Sequence, residues 1–412
     1  MNYVIIGNSA AAVGAVAGIR AVDKAGAITI ISDEPYHTYS RPLISYWLQG
    51  KVTDENIYYR DPDFYKTNNC FTVFGKKVTE INPDKKELSL DDGDRISYDR
   101  LLVATGSSPF VPPMKGLESV KNQSTFMSYD DAKKVKAMVA PDSRVLIIGA
   151  GLIGLKAAEA LEGKCAEMTI IDLADRILPS ILDLEGSAIM QKHIESRGAK
   201  FILNQSVTEF NGNQAILKNG DILSFDVLIV AVGVRPNTAL VSEAGGKVDR
   251  GILTDSRQRT SLKDVYAAGD CTVSHDISSG TDRILALLPN AYMQGEVAGR
   301  NMAKADSAVY EKAIPMNAIG FFGLHVITAG TYQGECFTRQ TENSYKKLFY
   351  QDNLLKGFIL IGDVNRAGIY TSMIKEQTPL DSVNREMLFE NPVLMAFGKP
   401  YRLEKLGGIK GE

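Results

Sequence analysis

The chain has 412 residues, 44% of them apolar and 23% charged, which excludes a disordered chain, a collagen-like one and a membrane bundle. Its length suggests two or three domains, each able to bury a core without disulfide support. A net charge of −3 argues against nucleic acid or an anionic membrane as main partner, and four dispersed cysteines and four histidines form no metal-ligand spacing.

The predicted elements begin at the N-terminus. Residues 3–19 are apolar, but no Lys or Arg precedes Arg20, so they do not read as a signal peptide. Tyr3-Val-Ile-Ile leads into Gly7-Asn-Ser9-Ala10-Ala-Ala12, a helix-forming stretch to about Lys24, and Ile28-Thr-Ile-Ile31. This is a strand, a small-residue turn, a helix and a second strand, the order of a parallel βαβ unit. Glu34 is placed at the end of the second strand, where it can take a ribose, with Asp33 as the competitor for that role. Leu88–Pro109 adds a hairpin at Asp92-Gly93-Asp94 and a buried strand, Leu101–Ala104, ending at Gly106.

The pattern then repeats. Val145-Leu-Ile-Ile leads into Gly149-Ala-Gly151-Leu-Ile153-Gly154, a helix to about Leu161, and Met168–Asp172. Ala215–Pro236 aligns without a gap to Leu88–Pro109, with Gly233 in the place of Gly106. In the second turn the first glycine permits the bend, the second lets a pyrophosphate approach and the third lets helix and strand pack closely. The phosphate then sits at a helix N-terminus. Asp172, 23 residues after Gly149, can accept ribose hydroxyls and repel a 2′-phosphate, which favours NAD(H), while Arg176 works against that preference. The first turn keeps Gly7 but has Ser9 and Ala12 at the later positions. Two copies in the right strand–helix context carry more weight than either alone.

A strand at Val265–Ala268 and a helix at about Asn290–Ala303 follow. From about residue 311 the composition changes to aromatic and β-branched residues with several glycines, which predicts an α+β domain. The expected fold class is therefore α/β: two Rossmann-like domains in a three-layer ββα arrangement and a C-terminal α+β domain. No run of 18 apolar residues occurs, so no transmembrane helix is expected, and sparse cysteine usage points to the cytoplasm.

Five motifs in order make the sequence resemble the pyridine nucleotide–disulfide oxidoreductase superfamily. They are the Gly7 turn, Ala104-Thr105-Gly106-Ser107-Ser108-Pro109, the Gly149 turn, Gly233-Val-Arg-Pro-Asn237 and Tyr266-Ala-Ala-Gly269-Asp270. The resemblance implies FAD in the first fold, at 1–112 and 240–310, and NAD(H) in the second, at 113–239, with an interface domain at 311–412. It further implies that Gly7, Ser9, Ala10, Glu34, Arg41, Pro42, Val78, Thr105, Gly106 and Asp270 line the FAD site. Asp270 would bind the ribityl chain, Thr105-Gly106 the pyrophosphate side, and Val78 would lie near the adenine. Gly149, Gly151, Ile153, Gly154, Asp172 and Gly233 would serve NAD(H).

Disulfide reductases of this superfamily carry a redox cysteine pair near residues 39–50, and peroxidases carry one cysteine there. Counting back from Gly50, that position is Pro42, and no cysteine precedes Cys70. Tyr39-Ser-Arg41-Pro42 instead resembles ferredoxin- and rubredoxin-type reductases and the flavin half of nitrite reductases, with Arg41 against the flavin. The tail segments Met316–Gly330 and Leu355–Asp363 resemble NADH–rubredoxin oxidoreductases. Two positions depart from the pattern: Tyr46, where those relatives have lysine, and Lys156, where they have a glutamate that contacts the nicotinamide. Cys271 and His325 read as structural residues in apolar settings.

The sequence thus predicts a cytoplasmic FAD-dependent NADH:acceptor oxidoreductase with no catalytic side chain and no metal. Its partner is expected to be a rubredoxin- or ferredoxin-type carrier. The alternative is a flavin- and NAD-binding subunit of a larger complex, working with iron–sulfur subunits and reducing NAD+. A homodimer or a hetero-oligomer is compatible with either reading. A thiol-dependent peroxide or disulfide reductase is disfavoured by Pro42.

Overall fold

A computed structural model describes residues 1–406, so residues 407–412 of the expected 311–412 domain lie outside the described residues. The chain forms two compact units. One comprises Met1–Pro179, Ile194–Ser274 and Asp282–Glu311; the other comprises Ser180–His193, His275–Thr281 and the chain from Lys312 onward.

The first unit holds two parallel five-stranded sheets. In the first sheet the strands run Val265–Ala267, Arg100–Val103, Asn2–Ile6, Ala27–Ser32 and Cys70–Phe74. In the second they run Ala199–Ile202, Glu167–Ile171, Arg144–Ile148, Val227–Val230 and Gln123–Ser124. Continuous apolar runs such as Tyr3–Ile6 suit strands buried on both faces.

Side-chain alternation builds the layers. Tyr3, Ile5, Ile28 and Ile30 pack against the Ala10–Val22 and Leu288–Ala303 helices. Val4, Ile6 and Ile31 face the other way, onto Val78, Ile81, Leu88 and Leu90 of a three-stranded antiparallel meander. Each strand therefore supplies both layers with a period of two. The two helices touch backbone to backbone. A β-carbon at Gly14 would stand 2.1 Å from the Tyr292 carbonyl oxygen, and one at Gly295 2.0 Å from that of Ala11.

The repeat is reproduced in structure. Strands Glu87–Leu90, Arg95–Ser97, Arg100–Val103 and Ser107–Pro109 recur, each 127 residues later, as Gln214–Leu217, Ile222–Ser224, Val227–Val230 and Val234–Pro236. The last members of the two sets pair antiparallel with each other, so the copies are joined at Ser107–Pro109 and Val234–Pro236. One boundary differs from the sequence reading. The second strand ends at Ser32, two residues before Glu34, where Asp33 and Glu34 form a bend.

The second unit is built on an antiparallel sheet ordered Met316–Phe321, Leu324–Gly330, Leu354–Ile361, Tyr345–Gln351 and Glu335–Gln340. Phe358, Tyr370, Met373 and Leu388 fill its core. Asp183 joins this unit through Lys347 Nζ at 2.7 Å and the Tyr345 hydroxyl at 2.8 Å. His325 does not sit in an apolar setting: alternation along its strand turns it outward, while Val326 is buried.

Candidate functional site: two glycine turns in one unit

The first unit carries both turns, each where a parallel strand passes into a helix. Gly7 donates its N–H to Ile31 at 2.8 Å, and Gly149 donates its own to Ile171 at 2.8 Å. Both glycines have positive φ, +110° and +111°, and a β-carbon would stand 2.1 Å from the Ala104 oxygen or 2.2 Å from the Ala231 oxygen. These two are glycine for the protein's sake. Gly151 differs. It caps the Leu152–Ala160 helix with φ −84°, and no atom lies within 4 Å of where its β-carbon would be. Nothing in the protein requires a glycine there, whereas a group laid over the helix N-terminus does. The turn therefore fits a pyrophosphate.

Asp172 stands directly after the Glu167–Ile171 strand. Its carboxylate accepts the N–H of Ala150 at 2.6 Å and that of Ala174 at 2.8 Å. These bonds fix the acid beside the turn, with unused lone pairs for ribose hydroxyls. Arg176 pairs with Asp175 at 2.8 Å. Ile153 is half-buried in the first helical turn, and Gly154 lets the helix close onto Gly149.

In the first fold, Ser9 caps the Ala10–Val22 helix through its backbone and Ala10 is buried beneath the turn. Thr105 and Gly106 are held by Asn237. The Thr105 hydroxyl donates to the Asn237 carbonyl at 2.8 Å, the Asn237 amide donates to the Thr105 carbonyl at 2.8 Å, and the Asn237 N–H donates to Gly106 at 2.9 Å. The Thr105 and Gly233 motifs are thus two halves of one structure. Gly106 and Gly233, at φ +64° and +119°, meet no protein atom within 4 Å of a β-carbon position.

Asp270 follows the Val265–Ala267 strand, and the Ser107 hydroxyl donates to its carboxylate across 3.4 Å. Burial pushes its carboxyl above the ordinary range, opposed by that hydrogen bond and by the Arg41 charge. A weakly satisfied carboxylate beside the first glycine turn fits the hydroxylated chain of FAD. Arg41 pairs with Glu34 at 2.8 Å, and the Tyr39 hydroxyl donates to the other Glu34 oxygen at 2.8 Å. Glu34 and Arg41 therefore act as a unit, a coupling that the separate roles read from the sequence did not contain. Val78 is 5% exposed and its side chain is spent in the core, leaving only its backbone to face a nucleotide.

Pro42 is exposed in the Arg41–Leu43 turn that opens the Ile44–Gln49 helix. No sulfur stands at this position. Cys271 is fully buried among Val4, Val103 and Val265, and burial pushes its thiol up to about 11. A thiol in that state is protonated at neutral pH and is a poor nucleophile.

Two features escaped the sequence reading. Gln294, 2% exposed, accepts the Gly269 N–H at 2.8 Å and so holds the Ala-Gly-Asp turn. An amide amid the small residues of a helix was its only signal in the sequence. The second feature is that Tyr46 and Lys156, the two departures from the pattern, touch.

The pyridine nucleotide-disulphide oxidoreductase family matches residues 1–295. The chain belongs to that family. As a member of the pyridine nucleotide-disulphide oxidoreductases it is an FAD- and NAD(H)-dependent oxidoreductase. Residues 315–378 match the rubredoxin NAD+ reductase C-terminal domain. The chain is 31% identical over 405 residues to the NADH-dependent phenylglyoxylate dehydrogenase subunit epsilon of Aromatoleum evansii, covering 95% of each. It is 30% identical over 397 residues to the nitrite reductase [NAD(P)H] of Bacillus subtilis, covering 93% of this chain but only 48% of that one. The crystal structure of the covalent putidaredoxin reductase–putidaredoxin complex has a TM-score of 0.87 to it at 25% identity, covering 96% of this chain and 97% of that one. Among the described residues no helix is long and apolar enough to cross a membrane.

Proposed function

We propose that the chain passes electrons between NADH and an iron–sulfur or rubredoxin-type carrier through FAD, without a redox-active cysteine. FAD supplies the chemistry, since it exchanges two electrons with a nicotinamide and single electrons with a metal centre. The residues position and tune. The Gly149–Gly154 turn and Asp172 hold the pyrophosphate and ribose of NAD(H), with Ile153 covering the turn. The Gly7 turn with Ser9 and Ala10, the Asn237-pinned Thr105-Gly106 and Asp270 hold FAD. Arg41, paired with Glu34 and close enough to Asp270 to act on its charge, would bring a positive charge to the FAD site.

The observation that carries the thiol-free reading is sulfur chemistry. Pro42 occupies the position of the family's cysteine, and the one cysteine beside a cofactor motif, Cys271, is buried and protonated. The match of residues 315–378 to a rubredoxin reductase domain supports the carrier class. The test is dye reduction by a variant lacking all four cysteines that retains FAD.

A second reading is favoured by the full-length likeness to a dehydrogenase subunit. In it the chain is the flavin- and NAD-binding subunit of a larger complex, accepting electrons from iron–sulfur subunits and reducing NAD+. Isolation from the native cell separates the two: co-purifying iron–sulfur subunits support the second reading, a free reductase the first. In both, 1–112 with 240–310 is the FAD-binding part, 113–239 the NAD-binding part and 311–412 the interface part. The cytoplasm is the proposed location, consistent with four free cysteines.

A further inference from the structure

Tyr46 and Lys156 come from different nucleotide folds. Tyr46 lies on the Ile44–Gln49 helix that follows Arg41, and Lys156 on the Leu152–Ala160 helix that starts at the Gly149 turn. The Lys156 ammonium stands 4.5 Å from the centre of the Tyr46 ring and pairs with Glu159. The two side chains are only 13% and 7% exposed, so little water screens the pair. Gln49 Nε2 donates to the Glu159 carbonyl at 2.9 Å and locks the helices together one turn further on. The ammonium is fixed in place rather than free to swing into solvent.

Its place relative to a bound dinucleotide follows from the topology. Asp172 marks the adenosine side, on the Glu167–Ile171 strand, and the glycine turn marks the pyrophosphate. The nicotinamide half must then run the other way, toward Val227–Val230, whose continuation joins the first fold at Ser107–Pro109. Lys156 faces that same first fold. Glu159 lies three residues further from the turn, about 4.5 Å along the helix axis, and it is the ammonium of the pair that rests on the Tyr46 ring of the first fold.

We infer that Lys156, held by Tyr46 and Glu159, is a specificity-determining residue for the redox state of the nicotinamide. The oxidised ring carries a positive charge and the reduced ring none. A fixed ammonium in a poorly hydrated setting, even partly offset by Glu159, disfavours the first relative to the second. The protein thereby favours NADH over NAD+ at this site. This inference rests on the reading of Gly149–Gly154 and Asp172 as the NAD(H) site.

The experiment uses the FAD-loaded, oxidised protein and calorimetric binding of two probes: NAD+ and a neutral, non-reducing tetrahydronicotinamide analogue of NADH. Wild type is expected to bind the neutral analogue more tightly. Lys156→Gln should narrow the ratio of the two dissociation constants by about three- to tenfold, chiefly by tightening NAD+, and Lys156→Arg should keep the wild-type ratio. Tyr46→Leu, which keeps the charge but removes its support, should narrow the ratio less and serves if Lys156→Gln loses FAD. Equal weakening of both probes would show a purely structural clamp and overturn the inference, as would an unchanged ratio. Failure of wild type to bind either probe, with FAD retained, would instead overturn the assignment of the NAD(H) site.

Discussion

The two glycines of the second turn should respond to the same substitution in opposite ways. Gly149→Ala puts a β-carbon 2.2 Å from the Ala231 carbonyl oxygen at φ +111°. Left-handed strain alone costs about 1–3 kcal/mol, and the backbone must shift to relieve the clash, so a total of about 2–4 kcal/mol is expected. Gly151→Ala adds the same methyl at φ −84°, into open space. Its stability should fall by only about 0.5–1 kcal/mol, the cost of alanine in place of glycine at a helix N-cap. If the turn cradles the pyrophosphate as proposed, the methyl lies in its path, so NADH affinity should fall by at least about tenfold, or ~1.4 kcal/mol. Thermal unfolding followed by flavin fluorescence gives the first quantity, and anaerobic reduction of the flavin over a range of NADH concentrations gives the second. If Gly151→Ala reduces as readily as wild type at low NADH, the turn is not a nucleotide cradle and the reasoning fails.

Other outcomes follow from the same geometry. Cys271→Ala should keep FAD and NADH-dependent dye reduction and lose about 1 kcal/mol of stability; a variant that holds FAD but no longer transfers electrons would refute the thiol-free account. In the folded protein iodoacetamide at neutral pH should leave Cys271 unmodified, which peptide mass mapping checks. Asp172→Asn should narrow the preference for NADH over NADPH in stopped-flow flavin reduction, and an unchanged ratio would give Asp172 another role. Asp226 accepts three hydrogen bonds from Arg144, one from its backbone N–H and two from its guanidinium, and is held down to about 2, below its unfolded value. Its contribution is therefore present above pH ~4 and lost as pH falls toward ~2. Since the pair is over a third exposed, Asp226→Asn should cost no more than about 1 kcal/mol at pH 7, with the difference from wild type shrinking in urea titrations at acid pH.

What the sequence disclosed and what it hid have one physical origin. Buried parallel strands are continuous apolar runs, and glycines at forced φ have no substitutes, so Tyr3–Ile6, Val145–Ile148 and their turns were legible directly. The 127-residue repeat carried the returning strands as well. Contacts between distant segments leave no local pattern. The Lys347–Asp183 pair spans 164 residues and draws a loop of the second repeat into the later unit. Asn237 pinning Thr105, Gln294 holding Gly269 and Lys156 meeting Tyr46 are of this kind. Glu34 and Arg41 were each picked out, but their pairing depends on how the chain bends after Ser32, which strand periodicity does not encode.

The central claim is that electrons pass through FAD with no thiol taking part. Anaerobic titration of the purified wild-type protein with NADH, following the flavin absorbance, tests it most directly. A flavin acting alone should be fully bleached by about one equivalent of NADH per FAD, because it is the sole two-electron acceptor. Consumption of about two equivalents before bleaching is complete, with the second lost when Cys271 is replaced, would reveal an oxidised Cys271 sulfur, a sulfenic acid or mixed disulfide, as a second two-electron acceptor and contradict the account.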